Sequence, residues 1–468
     1  SYRTTFTGTE LSRIPIPCRR DRYHSTDGPD TGWPTPEPPH RINQIYLEPI
    51  LFDHAAQMSK ITLLTRMNVA AVTQDAEQVT ATLENLHTGE TSHIHCQYLV
   101  GCDGGGSIIR KSIGAKLEGD PIISRNQSTY IRAPGLIELQ KETPAWATFS
   151  LNPRRSGNVY AIDGIERWII HNYLRPDEED FEAIDRDWGI RAILGVDDEF
   201  EYEVLAKEDW YGRRLVADKF RDRRAFICGD AAHIWVPYGG YGMNAGIADA
   251  MNLSWLLAGH LNHWAPASIL DAYEAERLPI TQQVSHFVMN HAHAMVSQRG
   301  GIPKNIEDEG PAGDTARTKL GQQAYHLNVQ QYCAAGLNFG YYYENSPIID
   351  HTSAGGETAP SYSMADYTPC TVPGCRLPHA WLGNPRHGRS LYDALGPEYT
   401  LVRTNADIDI KPLLIAANEA GLPLALLDVE EIDYDYPLII CRPDQHIAWR
   451  GIGAPADPIQ LLQRLRGH

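Results

Sequence analysis

The segment Arg224–Asn252, RAFICGDAAHIWVPYGGYGMNAGIADAMN, constrains the fold of this chain more than any other. Its pattern predicts an apolar strand over Ala225–Cys228, then Gly229-Asp230, a turn rich in proline and glycine, and a helix from about Met243. Glycines at a strand-to-helix turn let the backbone approach a ligand closely, and the first N–H groups of a helix attract negative charge. Because a carboxylate at the strand end can bind sugar hydroxyls, the segment predicts a site for a nucleotide-type cofactor with an anionic ring.

A second segment, Tyr98–Arg110 (YLVGCDGGGSIIR), has a related pattern. An apolar strand leads into Asp103-Gly104, and Ser107 follows. Strand–glycine–helix turns are common in α/β proteins, so one such segment alone is weak evidence, and Gly104–Gly106 also fits an ordinary tight turn. The two segments are far enough apart to hold a domain between them.

The pattern Gly229-Asp230 followed by Pro237-x-x-Gly240-x-Gly242-x-Asn244 resembles the second FAD signature of single-component (class A) FAD-dependent aromatic hydroxylases. The Asp-Gly segment resembles the other motif of that family. The resemblance implies that Asp230 binds the ribitol, that Asp103 lies near the pyrophosphate, and that backbone N–H groups at the start of the helix face the flavin ring. The cofactor-binding residues implied are Gln44, Asp103, Asp230, Pro237, Gly240, Gly242, Met243 and Asn244.

A chain of 468 residues is expected to hold more than one domain. The resemblance implies a mixed α/β fold with a Rossmann-like FAD-binding domain in two parts, residues 1–112 and 221–350, the second including a helical linker. A β-sheet substrate domain would occupy residues 113–220. Residues 351–468 resemble the thioredoxin-like domain of the phenol and 2,4-dichlorophenol hydroxylase branch, through Pro373–His379 and Arg442–Gly451. The absence of a C-x-x-C pair indicates a structural or dimer-forming role there rather than disulfide exchange.

No Gly-x-Gly-x-x-Gly fingerprint precedes these motifs, although the family begins with a βαβ unit that carries it. We therefore expect that the N-terminal βαβ unit is missing from this chain. Either the sequence begins after the natural N-terminus, or the unit has been lost. The phenol-activating Asp of the phenol hydroxylase branch comes from that stretch, so the sequence names no equivalent base.

A net charge of −18 argues against nucleic acid or an anionic membrane as the main partner. No signal peptide and no apolar run of membrane-spanning length is present, which predicts a cytoplasmic protein.

The eight cysteines show no zinc spacing, and His286, His291 and His293 lack an H-E-x-x-H pattern, so no metal site is predicted. The family resemblance implies a homodimer.

Activation of O₂ needs a carrier of two electrons that side chains cannot supply and flavin can. The resemblance implies that NADPH or NADH reduces FAD, that a flavin C4a-hydroperoxide forms, and that its oxygen passes to a phenolic substrate, ortho to the hydroxyl. Pro237 and Tyr211 are the predicted catalytic residues, with the Tyr211 hydroxyl binding a phenolate. Two alternatives stay open: oxidation of a polyketide or drug-like ring by epoxidation or Baeyer–Villiger chemistry, and a non-catalytic remnant of the flavin fold that acts in assembly.

Overall fold

The computed structural model describes residues 1–383 and 388–468, and the first stretch of the chain contributes strands to three sheets. It contains β1 (Tyr2–Arg3), β2 (Glu10–Ser12), α1 (Gln44–Gln57), β3 (Met67–Gln74), β4 (Val79–Asn85), β5 (Thr91–Cys96), β6 (Leu99–Gly101) and α2 (Ile108–Ser112). Strands β3, β4 and β5 form an antiparallel sheet. In β4 the alternate residues Val79, Ala81 and Leu83 are buried, as the period of two in a strand requires.

The central stretch forms most of the largest sheet. It contains β7 (Leu117–Arg132), β8 (Ala147–Ser150), β9 (Gly157–Ala161), β10 (Arg167–Tyr173), α3 (Arg186–Leu194) and β11 (Glu203–Ala217). Strands β7 and β11 pair antiparallel over nearly their whole length. One face of the sheet packs against α3 through a core that includes Ile131, Trp168 and Ile193. The other face is left to line a cavity.

The third stretch of the chain, residues 221–350, pairs with a strand of the first stretch. It contains β12 (Arg221–Asp222), β13 (Ala225–Ile227), β14 (His233–Trp235), α4 (Tyr241–Leu261), α5 (Asp271–Gly300), α6 (Pro311–Tyr332) and α7 (Ala335–Phe339). Strand β14 completes an eight-stranded sheet of order β14-β11-β7-β10-β9-β8-β1-β2. Strand β13 pairs in parallel with β6, with Ile227 opposite Gly101. Because parallel strands end at the same edge, the loops that follow β6 and β13 lie side by side.

The sequence predicts a helix that begins at Asp271–Arg277 and a long helical stretch from there to about Gln331, and this prediction is wrong in its continuity. The structure divides it into α5 and α6, with residues 301–310 between them. Gly300 and Gly301 end the first helix, and Pro311 begins the second after Gly310, whose φ is 89°. Glycine weakens a helix, and proline fits its first position, so this sequence favours two shorter helices.

The C-terminal stretch, residues 351–468, contains β15 (Trp381–Leu382), β16 (Arg389–Ser390), α8 (Leu391–Ala394), β17 (Tyr399–Arg403), α9 (Lys411–Ala420), β18 (Leu424–Asp428), β19 (Leu438–Cys441), β20 (Ile447–Gly451) and α10 (Pro458–Leu465). Four of its strands form a separate sheet of order β18-β17-β19-β20. The sequence Leu438–Trp449 predicts a hairpin that turns at Pro443-Asp444, and strands β19 and β20 form it. Tyr399 and Trp449 share one hydrophobic core with Trp255 of α4, so this stretch is packed onto the third.

The mixed α/β class predicted from the sequence is confirmed. The thioredoxin-like character of the last stretch stays a prediction. Among the described residues, no helix has the combination of length and apolar character that crossing a membrane requires.

Candidate functional site

A cavity of about 1330 Å³ lies between the large sheet, the start of α4, the loop before α1 and part of the C-terminal stretch. The large sheet contributes Phe149, Asn158, Tyr160, His171, Tyr173, Glu208, Trp210 and Tyr211. The segment from Asp230 to Met251 contributes Asp230, Ile234, Trp235, Pro237, Gly239, Gly240, Met243 and Asn244, among others. The cavity is therefore bounded on opposite sides by a mainly aromatic sheet face and by the glycine-rich turn.

The glycine-rich turn leaves the start of α4 open to the cavity. Gly239 and Gly240 have φ values of 72° and 61°, in the left-handed region that favours glycine. A Cβ built on Gly240 meets no described atom within 4 Å. Among residues 1–383 and 388–468, no side chain caps the N-terminus of α4, and Asn244 Nδ2 instead donates to the Gly240 carbonyl at 2.7 Å. The first N–H groups of the helix are thus available to a negatively charged ligand.

The loop at Gly229-Asp230 is held from behind by a buried ion-pair network. Asp249 of α4 accepts hydrogen bonds from Gly229 N (3.2 Å), His233 Nε2 (2.7 Å) and Arg277 Nε (2.8 Å). Burial alone would raise the pKa of Asp249, but Arg277 and His233 outweigh it and hold that pKa below its usual value. This network leaves the Asp230 side chain exposed to the cavity.

A second buried network joins α5 to the C-terminal stretch. Glu276 accepts two hydrogen bonds from Arg442, at 2.6 and 2.7 Å, and one from Asn252 Nδ2 at 2.6 Å. Arg442 also pairs with Asp444 at 2.6 Å. Asp444 lines the cavity together with Arg376, Gln445 and His446. The C-terminal stretch therefore forms part of the site, which the sequence analysis did not predict.

The Asp-Gly loop after β6 is tied to the Gly-Asp loop after β13. Arg110 donates to the Ala231 carbonyl at 2.8 Å and to the Gly105 carbonyl at 2.7 Å. Asp103 accepts from Ser107 Oγ at 2.6 Å and from Ile108 N at 2.8 Å, so its carboxylate caps α2. Asp103 is not among the residues that line the cavity. Its contact with a pyrophosphate stays a prediction.

The sheet side of the cavity carries a chain of hydrogen bonds across three adjacent strands. Trp210 Nε1 on β11 lies 2.6 Å from Ser128 Oγ on β7, which lies 2.6 Å from His171 Nδ1 on β10. The His171 ring meets Tyr160 and Trp210 edge-on, with centroids 5.5 and 6.1 Å away. Burial lowers the pKa of His171 to about 4, so the ring is neutral at neutral pH.

The loop before α1 places a cation on the aromatic side of the cavity. The Arg41 guanidinium carbon lies 5.6 Å from the ring centre of Trp146 and 5.4 Å from that of Tyr332. Its nearest carboxylate, Asp30, is 3.9 Å away and is bound more closely by Arg22, at 2.6 Å. The group of two arginines and one aspartate therefore carries a net positive charge beside the cavity.

The structure brings most of the predicted site residues together. Gln44, Tyr211, Asp230, Pro237, Gly240, Met243 and Asn244 all line the cavity, whereas Asp103 and Gly242 do not. Tyr211 lies next to Trp210 on β11, so their side chains leave opposite faces of the strand. The Tyr211 ring packs edge-on against Phe181, with centroids 5.3 Å apart. Sequence reasoning missed the hydrogen-bond chain Trp210–Ser128–His171, because strand alternation indicates which residues share a face but not which strands pair.

These features fit FAD. The open helix N-terminus suits a negatively charged ring edge, and the exposed Asp230 carboxylate suits a polyol. The buried Trp235 Nε1, which lines the same region, has no hydrogen-bond partner within the described part of the chain. An acceptor atom supplied by a ligand would satisfy that donor.

Comparison with known proteins agrees with this fit. The family model described as FAD binding domain matches residues 24–288. A protein named FAD-dependent monooxygenase opdD from Penicillium oxalicum is 28% identical over 92% of this chain and 86% of its own length. A phenol 2-monooxygenase from Pseudomonas is 27% identical over 98% of this chain and 79% of its own. The solved structure of the rebeccamycin biosynthetic enzyme RebC with reduced flavin superposes with a TM-score of 0.86, at 29% identity, over 100% of this chain and 84% of that one.

Proposed function

The chain belongs to the FAD binding domain family of flavin-dependent aromatic hydroxylases, and from that premise we propose that it hydroxylates an aromatic substrate carrying a phenolic hydroxyl. That it is an FAD-dependent monooxygenase is confirmed. The similarity to proteins named as monooxygenases and hydroxylases also sets aside the alternative of a non-catalytic remnant of the flavin fold. NADPH or NADH as co-substrate is typical of the family.

When bound, FAD supplies the electron transfer and O₂ chemistry that side chains lack. Around it, the backbone N–H groups at the start of α4 would stabilise negative charge on the ring, and Asp230 would bind the ribitol hydroxyls. Pro237, exposed in the cavity, would shape the edge that faces the substrate. The ring of Tyr160 and its aromatic neighbours on the sheet would exclude water from the reacting atoms.

The positive charge at Arg41 is the observation that carries the phenolic assignment. An electron-rich ring reacts faster when its hydroxyl is ionised, and a cation near the cavity stabilises that anion. Arg41 is stacked on two aromatic rings and is only weakly paired with Asp30. Glu208 is the carboxylate on the sheet side of the cavity, and we assign it as the acceptor of the phenol proton.

The finer assignments belong to the same proposal. Similarity to a phenol 2-monooxygenase supports a place near the phenol hydroxylase branch and attack ortho to the hydroxyl. The division into residues 1–112, 113–220, 221–350 and 351–468, and assembly as a homodimer, are proposed with it.

A second candidate is a substrate of several fused rings, such as a polyketide. The cavity of about 1330 Å³ exceeds the ~300–1,000 Å³ of ordinary small-molecule sites, although FAD would fill part of it.

The test begins with the visible absorption spectrum of the purified protein after addition of FAD. We expect an oxidised-flavin spectrum that NADPH or NADH bleaches, and faster bleaching when a phenol is present. Mass spectrometry under ¹⁸O₂ should then show one labelled oxygen in the product. Phenol and a hydroxylated anthraquinone, compared side by side, separate the two substrate classes. Bleaching that no hydroxylated arene accelerates would contradict the phenolic proposal.

A further inference from the structure

Only one arrangement of the hydrogens in the chain Trp210–Ser128–His171 gives each of them an acceptor on the protein. An indole N–H can only donate, so Trp210 Nε1–H donates to Ser128 Oγ. Within residues 1–383 and 388–468, Ser128 Oγ has no partners besides Trp210 and His171. The serine O–H therefore donates to His171 Nδ1 in this arrangement, because the opposite one would leave the serine proton without an acceptor among the described residues.

The other ring nitrogen is consequently the protonated one. A neutral imidazole that accepts at Nδ1 carries its proton at Nε2. In the described part of the chain, His171 Nε2 has no hydrogen-bond partner, and the ring lines the cavity. The edge-on contacts with Tyr160 and Trp210 hold the ring in this orientation.

We infer that His171 is a substrate-binding residue whose Nε2–H donates to an oxygen acceptor on the aromatic substrate, and that Ser128 and Trp210 are positioning residues that set its tautomer. This inference rests on the proposed function and narrows its substrate class. The ring to be oxidised carries a phenolate or carbonyl oxygen at the position that meets β10. His171 cannot serve as the base, since the nitrogen that faces the cavity already holds the proton.

The tautomer can be measured without turnover. In the FAD-loaded full chain containing ¹⁵N-labelled histidine, NMR should show a proton on Nε2 of His171 and none on Nδ1, with His171→Gln used to assign the signals. Ser128→Ala should weaken the preference for the proton on Nε2, and Ser128→Thr, which keeps a hydroxyl, should retain it. A proton on Nδ1 in the wild-type protein, or an unchanged spectrum in Ser128→Ala, would overturn the inference.

Binding of two matched probes tests the role of the donor. 4-Nitrophenol has a hydroxyl oxygen, and its phenolate absorbs visible light, whereas nitrobenzene lacks that oxygen. Because a hydrogen bond to a charged acceptor is strong, His171→Phe should weaken binding of the phenolate about 10- to 100-fold. Binding of nitrobenzene and the FAD content should be unchanged, and His171→Gln, which keeps an N–H, should lie between the two proteins.

The control variant is Arg167→Gln, an exposed residue on the same strand, which should bind both probes as the wild type does. If His171→Phe weakened the binding of both probes equally, the variant would have changed the shape of the cavity rather than removed a hydrogen-bond donor. That result would overturn the inference. A wild-type protein that binds FAD but neither probe would overturn the phenolic substrate class itself, while the NMR result decides the tautomer independently.

Discussion

Two sides of one cavity are built from different chemistry. Behind the loop at Gly229-Asp230, the carboxylates of Asp249 and Glu276 are fully buried and paired with Arg277 and Arg442. Across the cavity, the sheet presents aromatic rings and the neutral His171. A buried ion pair fixes the position of its members, because loss of one partner leaves a charge without compensation. Apart from Glu208, the side chains of the sheet that line the cavity are uncharged, and none of them belongs to a buried ion pair among the described residues, so their exchange should cost less stability.

The contrast between buried ion pairs and aromatic rings corresponds to two requirements of the site, binding of the cofactor and selection of the substrate. The cofactor side has to keep its geometry whatever substrate is present, and its networks join α4, α5 and the C-terminal stretch into one support. The sheet side decides which ring is accepted. Substitutions in the buried networks behind the cofactor should therefore reduce stability and FAD binding together. Substitutions of exposed residues on that side should weaken FAD binding alone, and those on the sheet side should change substrate binding alone.

The strongest test of this contrast is Asp249→Ala. It removes the partner of His233 and Arg277 in one step, so we expect a loss of about 3–5 kcal/mol in the free energy of unfolding. Urea denaturation followed by circular dichroism measures it, and FAD content should fall in parallel. The control is Asp314→Ala, which breaks a surface ion pair with Arg317 and should cost at most about 1 kcal/mol. Equal costs for both variants would refute the contrast.

Asp230→Ala should leave stability unchanged and weaken FAD binding. The exposed carboxylate is predicted to accept hydrogen bonds from the ribitol, and such charge-assisted bonds correspond to about a 10- to 100-fold change in affinity. Titration of the protein with FAD gives the dissociation constant. Asp230→Asn keeps a carbonyl acceptor and should lose less affinity. An unchanged constant in Asp230→Ala would remove Asp230 from the cofactor site.

Gly240→Ala tests whether the open turn is needed for the cofactor. A φ of 61° strains an alanine by about 1–2 kcal/mol, and its Cβ would project where the ring edge is expected. We expect reduced FAD affinity beyond what the strain alone causes. Gly89→Ala, where φ is 74° and a Cβ also meets nothing within 4 Å among the described residues, carries a similar strain away from the cavity and is the matched control. Full FAD affinity in Gly240→Ala would show that the turn does not approach the ring.

The local parts of this architecture could be predicted from the sequence, because each depends on neighbouring residues. The strand and glycine turn around Gly229 are of this kind, and so is the helix at Gln44–Gln57, which the sequence predicts over Arg41–Ser59. Glu276 lies in Asp271–Arg277, where the sequence predicts the start of a helix, but no local pattern indicates its partner Arg442, 166 residues away. The hydrogen-bond chain from Trp210 through Ser128 to His171 depends on the register of three strands, which no local pattern specifies.

The smallest expected effect lies on the sheet side, at Tyr211. Its hydroxyl is predicted to bind a phenolate, but the ring packs against Phe181, and strand alternation directs it away from the face that carries Trp210. Loss of one hydrogen bond at the edge of the cavity should lower kcat/KM in Tyr211→Phe about 2- to 10-fold, with FAD content and stability unchanged. Tyr202→Phe, which removes a hydroxyl bound to Asp187 outside the cavity, should have wild-type kinetics. A wild-type rate in Tyr211→Phe would mean that the aromatic side binds the substrate through His171 and Arg41 without Tyr211. Loss of FAD in this variant would mean that cofactor binding and substrate binding do not belong to separate sides of the cavity.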